Sequence, residues 1–174
     1  LVEVFTEDEK NTAGDVYGFL TKIGGERFSG KVVKALAETF YDQAHYERGI
    51  QAYELLLKLE PTNRDAGMWM LEIANGYALL EDYPRLKTTY DRATADYMAG
   101  GKWTKTQADP AVLDTTAKAI EKQLLAHATE LHGRAQKDKS RAEFEGAAAL
   151  YDIYAAKFDG EPKAYLVHFY LGES

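Results

Sequence analysis

Apolar residues recur along this chain three and four positions apart, and no long stretch alternates with a period of two, so the pattern predicts helices and no half-buried strand. Capping signals divide it further. The first helix is expected from Thr12, with Asp15 as its capping-box partner, to Gly24-Gly25, where left-handed backbone costs little. A second starts near Ser29, carries Val32, Val33, Leu36, Ala37, Phe40 and Tyr41 at helical spacing, and loosens at Gln43 to His45. The third covers Tyr46 to Leu59 and is ended by Pro61. Thr62-Asn63-Arg64-Asp65 opens a fourth, whose stripe of Trp69, Met70, Ile73, Ala74, Tyr77 and Leu80 lasts until Glu81-Asp82. Pro84 suits the first turn of a fifth helix, running to Tyr97 and closed by Gly100-Gly101. Asp109-Pro110 starts a longer one that reaches Leu131 to Lys137. Ser140 with Glu143 reads as a capping box for the last full helix, which stops at Asp159-Gly160 with Pro162 beyond.

Short amphipathic helices joined by tight turns suggest an internal repeat. Tyr17, Tyr53, Tyr90 and Tyr151 each fall in the second helix of a pair, at separations of 36, 37 and 61 residues. One turn before them stand Ala13, Gly49, Leu86 and Ala147, three of them small, which would let a neighbouring helix approach while the ring fills the space beyond. Leu86 departs from that pattern. The extra length before the last unit falls between Met98 and Arg141, around the glycine pair and the long helix.

These residues resemble the tetratricopeptide repeat family, whose units are helix-turn-helix pairs of about 34 residues. Within 30–61, Leu36-Ala37 and Phe40 stand at the large-small pair and aromatic of the motif, Ala44-His45-Tyr46 at its turn, and Gly49, Tyr53 and Pro61 complete it. Ile73-Ala74, Tyr77, Glu81-Asp82-Tyr83, Tyr90 and Ala93 repeat it within 67–98. The resemblance implies an all-α, right-handed solenoid of antiparallel helix pairs in one domain, with 12–25 closing a preceding unit, 109–160 an atypical unit containing the long helix (Phe144, Ala147 and Tyr151 in its second helix), and 163–174 opening a truncated one. More loosely, Tyr17-Gly18-Phe19-Leu20 and the aromatics from Tyr154 to Phe158 are similar to the helix ends of Gram-negative cell-envelope proteins of this family.

Composition narrows the function classes. The 174 residues carry 28 Asp and Glu against 21 Lys and Arg, a formal charge of −7, which opposes the counterion release that drives nucleic-acid binding. No apolar run approaches the ~20 residues that span a bilayer. With no cysteine, disulfides, thiolate catalysis and cysteine-ligated zinc are excluded. His127 and His132 stand about 140° apart on one helix, outside the i,i+4 pairing that shares a metal, and His127 with Glu130 is read as part of a solvated helix. His45 reads as a turn residue, and His168 lies in the terminal stretch. Neither glycine pair is followed by the Lys-Ser/Thr of a phosphate loop, no Gly-x-Ser-x-Gly nucleophile motif occurs, and the carboxylates are scattered. The basic run Arg134, Lys137, Lys139 and Arg141 reads as a solvated helix end.

No catalytic residue, cofactor or metal is therefore assigned. The repeating tyrosines are expected to pack in the core, whereas Tyr41 falls outside the inward pattern. In a solenoid the first helix of each pair lines the concave, partner-binding surface. The resemblance puts Lys31, Lys34, Glu38, Tyr41 and Asp42 of one unit there, with Met68, Leu71, Asn75, Ala78 and Leu79 of the next. Charge on one side and apolar groups on the other suit an extended or helical peptide. The expected function is a non-enzymatic scaffold that binds a protein or peptide partner, with no nucleic acid, in a bacterial envelope assembly or motility complex, periplasmic or otherwise extracytoplasmic rather than cytoplasmic. The alternative is a helical enzyme or regulatory subunit with a ligand pocket under the long helix. A chain starting at Leu1 and ending in a new stripe (Tyr165, Leu166, Phe169, Leu171) reads as an excised piece whose C-terminal stretch folds back or self-associates.

Overall fold

A computed structural model describes residues 11–158 and residue 160. The chain is all-helical, with seven α-helices and no strand among the described residues: α1 (Ala13–Lys22), α2 (Ser29–Asp42), α3 (Tyr46–Leu59), α4 (Ala66–Leu79), α5 (Tyr83–Tyr97), α6 (Pro110–Asp138) and α7 (Arg141–Phe158). Single 3-10 turns at Glu26–Phe28 and Thr104–Thr106 lead into α2 and α6. The expected starts and stops match these bounds closely because the caps act locally. Thr12 and Asp15 form a complete capping box, Asp82 and Asp109 accept hydrogen bonds from Arg85 N and Ala111 N at the starts of α5 and α6, and Gly24 and Gly100 adopt positive φ. The C-terminal stripe from Tyr165 lies outside the described residues.

The chain divides into two compact units, one reaching to Leu80 and the other beginning at Glu81. That boundary separates the two helices of the span 67–98. In the first unit α3 is central: α2 and α4 pack along it, and α1 rests on α2 and α3. Its core is Val16, Leu20, Val33, Leu36, Ala37, Phe40, Ile50, Tyr53, Leu56, Trp69, Met70, Ile73 and Ala74. In the second unit α6 and α7 form the most extensive contact, and α5 packs on both. Leu86, Tyr90, Ile120, Leu124, Ala128, Leu150, Tyr151 and Tyr154 fill its centre.

Three turns share one device. Ala44, Glu81 and Lys139 adopt left-handed backbone at φ 58°, 56° and 56°, each between consecutive helices. Ala44 and Glu81 stand nine residues before Tyr53 and Tyr90, whereas Lys139 stands twelve before Tyr151. Measured from the turn, the last unit is thus displaced by three positions from the register that its tyrosine suggests. Tyr53, Tyr90 and Tyr151 are buried as expected, but Tyr17 is only half-buried, and Val16 takes the inward place beside Ala13 and Leu20. The box at Ser140 is half formed. Its Oγ accepts from Glu143 N at 3.4 Å, while the Glu143 carboxylate turns away to Arg134 at 2.7 Å.

Candidate functional site

The predicted groove residues all fall in the first unit, on α2 and α4. Lys31, Lys34, Glu38 and Asp42 form an exposed stripe on α2, with Lys34 Nζ 3.0 Å from Glu38 Oε1. On α4, Met68 and Leu79 are 42% and 49% exposed, and Asn75 and Ala78 are half-buried. Two assignments need correction. Leu71 is 2% exposed and belongs to the core, so a charge there would disrupt folding before it could report on docking. Tyr41 is half-buried and structural: its hydroxyl donates to the Glu72 carbonyl oxygen at 2.5 Å, tying the end of α2 to α4, and its ring meets Tyr46 and Tyr53 edge-on at 5.7 and 5.6 Å. Gly49 and Gly76 make room for it, since a Cβ at Gly49 would overlap the ring and one at Gly76 would overlap the hydroxyl. The small residue before Tyr53 therefore accommodates a side chain from the preceding helix.

Sequence reasoning missed Glu72. Met68, Glu72, Asn75 and Leu79 follow the four-, three- and four-residue steps of one helix face, and Leu71 lies off it. Counting that period from Met68 would have selected Glu72. Burial raises the Glu72 carboxyl above the ordinary glutamate range, Glu38 pushes it further up, and a hydrogen bond from Asn75 partly offsets both. Tyr53, on α3 between the two helices, is 5% exposed, and its hydroxyl is pushed above the usual phenol range by burial and then by Glu72, Glu38 and Asp42. The first unit thus presents a face whose acidic middle, Glu38, Asp42 and Glu72, lies over the Tyr53 hydroxyl. Met68 and Leu79 supply exposed apolar surface toward the two ends of α4. Among the described residues no group of three His, Cys, Asp or Glu is placed to hold a metal ion.

The remaining candidates serve packing in the second unit. His127 is not on a solvated helix: its Nδ1 lies 2.9 Å from the hydroxyl of the fully buried Tyr90, and burial lowers its pKa below the ordinary histidine value while Glu130 partly offsets this. His132 is 3% exposed, with Nε2 2.9 Å from Gln136 and its ring edge-on to Phe144 and Tyr151. Arg134 pairs with Glu81 and Glu143, and Glu143 is 5% exposed. The run it begins is therefore not simply a solvated end. Tyr154 and Phe158, rings 5.0 Å apart, are core residues, so the aromatic helix end they form is explained by packing. A cleft of about 230 Å³ is lined by Tyr83, Pro84 and Lys87 of α5 and Ala142, Glu145, Gly146 and Ala149 of α7, below the roughly 300–1,000 Å³ of small-molecule sites and away from α6.

No helix among the described residues is long and apolar enough to cross a membrane. Compared with protein-family models, curated proteins and solved structures, the chain matches none.

Proposed function

We propose that this chain is a non-enzymatic protein-interaction module of the tetratricopeptide type, and that the α2/α4 face of its first unit docks an extended or helical segment of a partner protein. The observation that carries the reading is the face itself. Two large apolar side chains, Met68 and Leu79, stand 42% and 49% exposed on the same stripe of α4 as Glu72 and Asn75, beside the charged stripe of α2. Apolar anchors around a polar centre are what a docked peptide needs, and helices packed on a common third helix provide a rigid support. The repeat architecture belongs to the proposal and is supported by left-handed turns at Ala44 and Glu81 set at equal distances before Tyr53 and Tyr90. The envelope setting is not carried forward, because half of its aromatic signature is core.

Selection of a random peptide library on the full chain tests this. Enriched peptides should lose at least tenfold in affinity for a Met68→Glu/Leu79→Glu variant whose melting temperature matches the parent. Equal binding to both proteins, or no enrichment, would place docking elsewhere or end the scaffold reading.

A further inference from the structure

The α2/α4 face holds a hydroxyl with nothing to bond. Tyr53 is 5% exposed, yet among the described residues its Oη has no hydrogen-bond partner, while the neighbouring Tyr41 hydroxyl donates to Glu72 O. Buried polar groups are nearly always satisfied, so an orphan at the base of a surface face points to a missing ligand atom. The oxygen is aimed at a particular environment. Glu38 and Asp42 from α2 and Glu72 from α4 all act on it, and burial of its ring leaves this end as the way out.

The charge around it is poorly balanced. Lys34 pairs with Glu38 across one helical turn, with both side chains about half exposed, and among the described residues neither Asp42 nor Glu72 has a cation at ion-pair distance. Carboxylates crowded closely enough would take a metal ion, but these are not so placed. A wider cation fits the spacing better. A guanidinium carries five N–H donors in a planar fork and reaches two carboxylates and a hydroxyl together, which a compact ammonium does less well.

Resting on the docking face proposed above, we infer that the partner segment binds through an arginine side chain whose guanidinium enters between Glu38, Asp42 and Glu72 and donates to Tyr53 Oη, with apolar neighbours on Met68 and Leu79. Lys34 gives up part of its hold on Glu38 when this happens. The inference also accounts for Glu72, whose carboxylate is half-buried and repelled by Glu38 in the unliganded face.

The test uses isotope-labelled full chain observed by NMR, with acetyl-Leu-Arg-Leu-amide as probe and the citrulline peptide as its neutral near-isostere. The arginine peptide should shift the side-chain signals of Glu38, Asp42 and Glu72 and the Tyr53 ring, and bind at least fivefold more tightly than the citrulline peptide. Glu72→Gln should remove most of that preference without changing the citrulline affinity, Tyr53→Phe should reduce it about twofold or more, and Glu145→Gln in the second unit should do neither. Equal binding of both peptides at Met68 and Leu79 would overturn the arginine site while leaving the docking face intact. Shifts confined to other residues, or none up to millimolar peptide, would overturn it as well, and the Met68/Leu79 variant then decides the docking face separately.

Discussion

Adding one methyl group at Gly76 sets helix propensity against packing, and the structure says which wins. Alanine is favoured over glycine inside a helix by about 1 kcal/mol, so α4 alone would gain from Gly76→Ala. The new Cβ, however, would overlap the Tyr41 hydroxyl and stand 2.7 and 2.8 Å from Ile50 Cγ1 and Cδ1. Ile50 is 5% exposed and has little room to retreat. Overpacking a full core costs about 1–3 kcal/mol. Displacing Tyr41 also breaks its bond to the Glu72 carbonyl, worth roughly 1 kcal/mol. The net expectation is a loss of about 1–3 kcal/mol. In a Tyr41→Phe background the nearest clashing atom is gone, and the same methyl should be neutral or stabilising, giving a coupling of about 2 kcal/mol between the two positions. Trp69 lies in the first unit and Trp103 in the second, so urea unfolding followed by fluorescence in a Trp103→Phe parent reports on the unit concerned. A stabilised Gly76→Ala, or strict additivity with Tyr41→Phe, would show that the aromatic tie between α2 and α4 is not as described.

Three other outcomes follow from charges and backbone. Glu72→Gln should raise the melting temperature at pH 7, with the gain shrinking toward pH 4: the folded-state carboxyl titrates above its unfolded value of about 4.5, so the folded wild type binds more protons in that interval and recovers stability as pH falls. His127 shows the opposite linkage, because its folded pKa is depressed below about 6.5 and the unfolded chain takes up the proton first; thermal melts of the wild type should therefore drop more steeply from pH 7 to pH 5 than those of His127→Gln. Arg134→Met should cost the second unit about 1–3 kcal/mol in denaturant by leaving Glu143 buried without its cation, and adding Glu143→Gln should recover most of it.

The fold was legible wherever the signal is local. Thr12 with Asp15, Asp82 before Pro84 and Asp109 before Pro110 each satisfy amides one turn away, so short sequence windows contain the whole cause of those helix starts. Signals that needed a distant partner were read less well. Nothing within four residues of Glu143 reveals that Arg134 and Tyr83 turn its carboxylate away from Ser140, the Tyr83 hydroxyl lying 3.4 Å from Oε1. Likewise, Tyr90 is 37 positions from the histidine that meets its hydroxyl. Local pattern identified His127 and His132 as a spaced pair on one helix but could not show that each faces a different aromatic neighbour of its own unit.

The face on α2 and α4 illustrates the same division at the level of a single residue. Its α2 half was read correctly as an exposed stripe because charged residues at 31, 34, 38 and 42 mark it without ambiguity. On α4 nearly every position is apolar or small, so hydrophobicity carries little directional information and only strict period counting separates Glu72 from Leu71. That ambiguity has a physical origin: α4 buries Leu71, Met70, Ile73 and Ala74 yet also carries the exposed Met68 and Leu79. A helix that must support a core and also present apolar docking surface loses the polar boundary by which a sequence normally reveals its outer side. Glu72, the one charged residue within α4, is then the residue from which the outward face can be read.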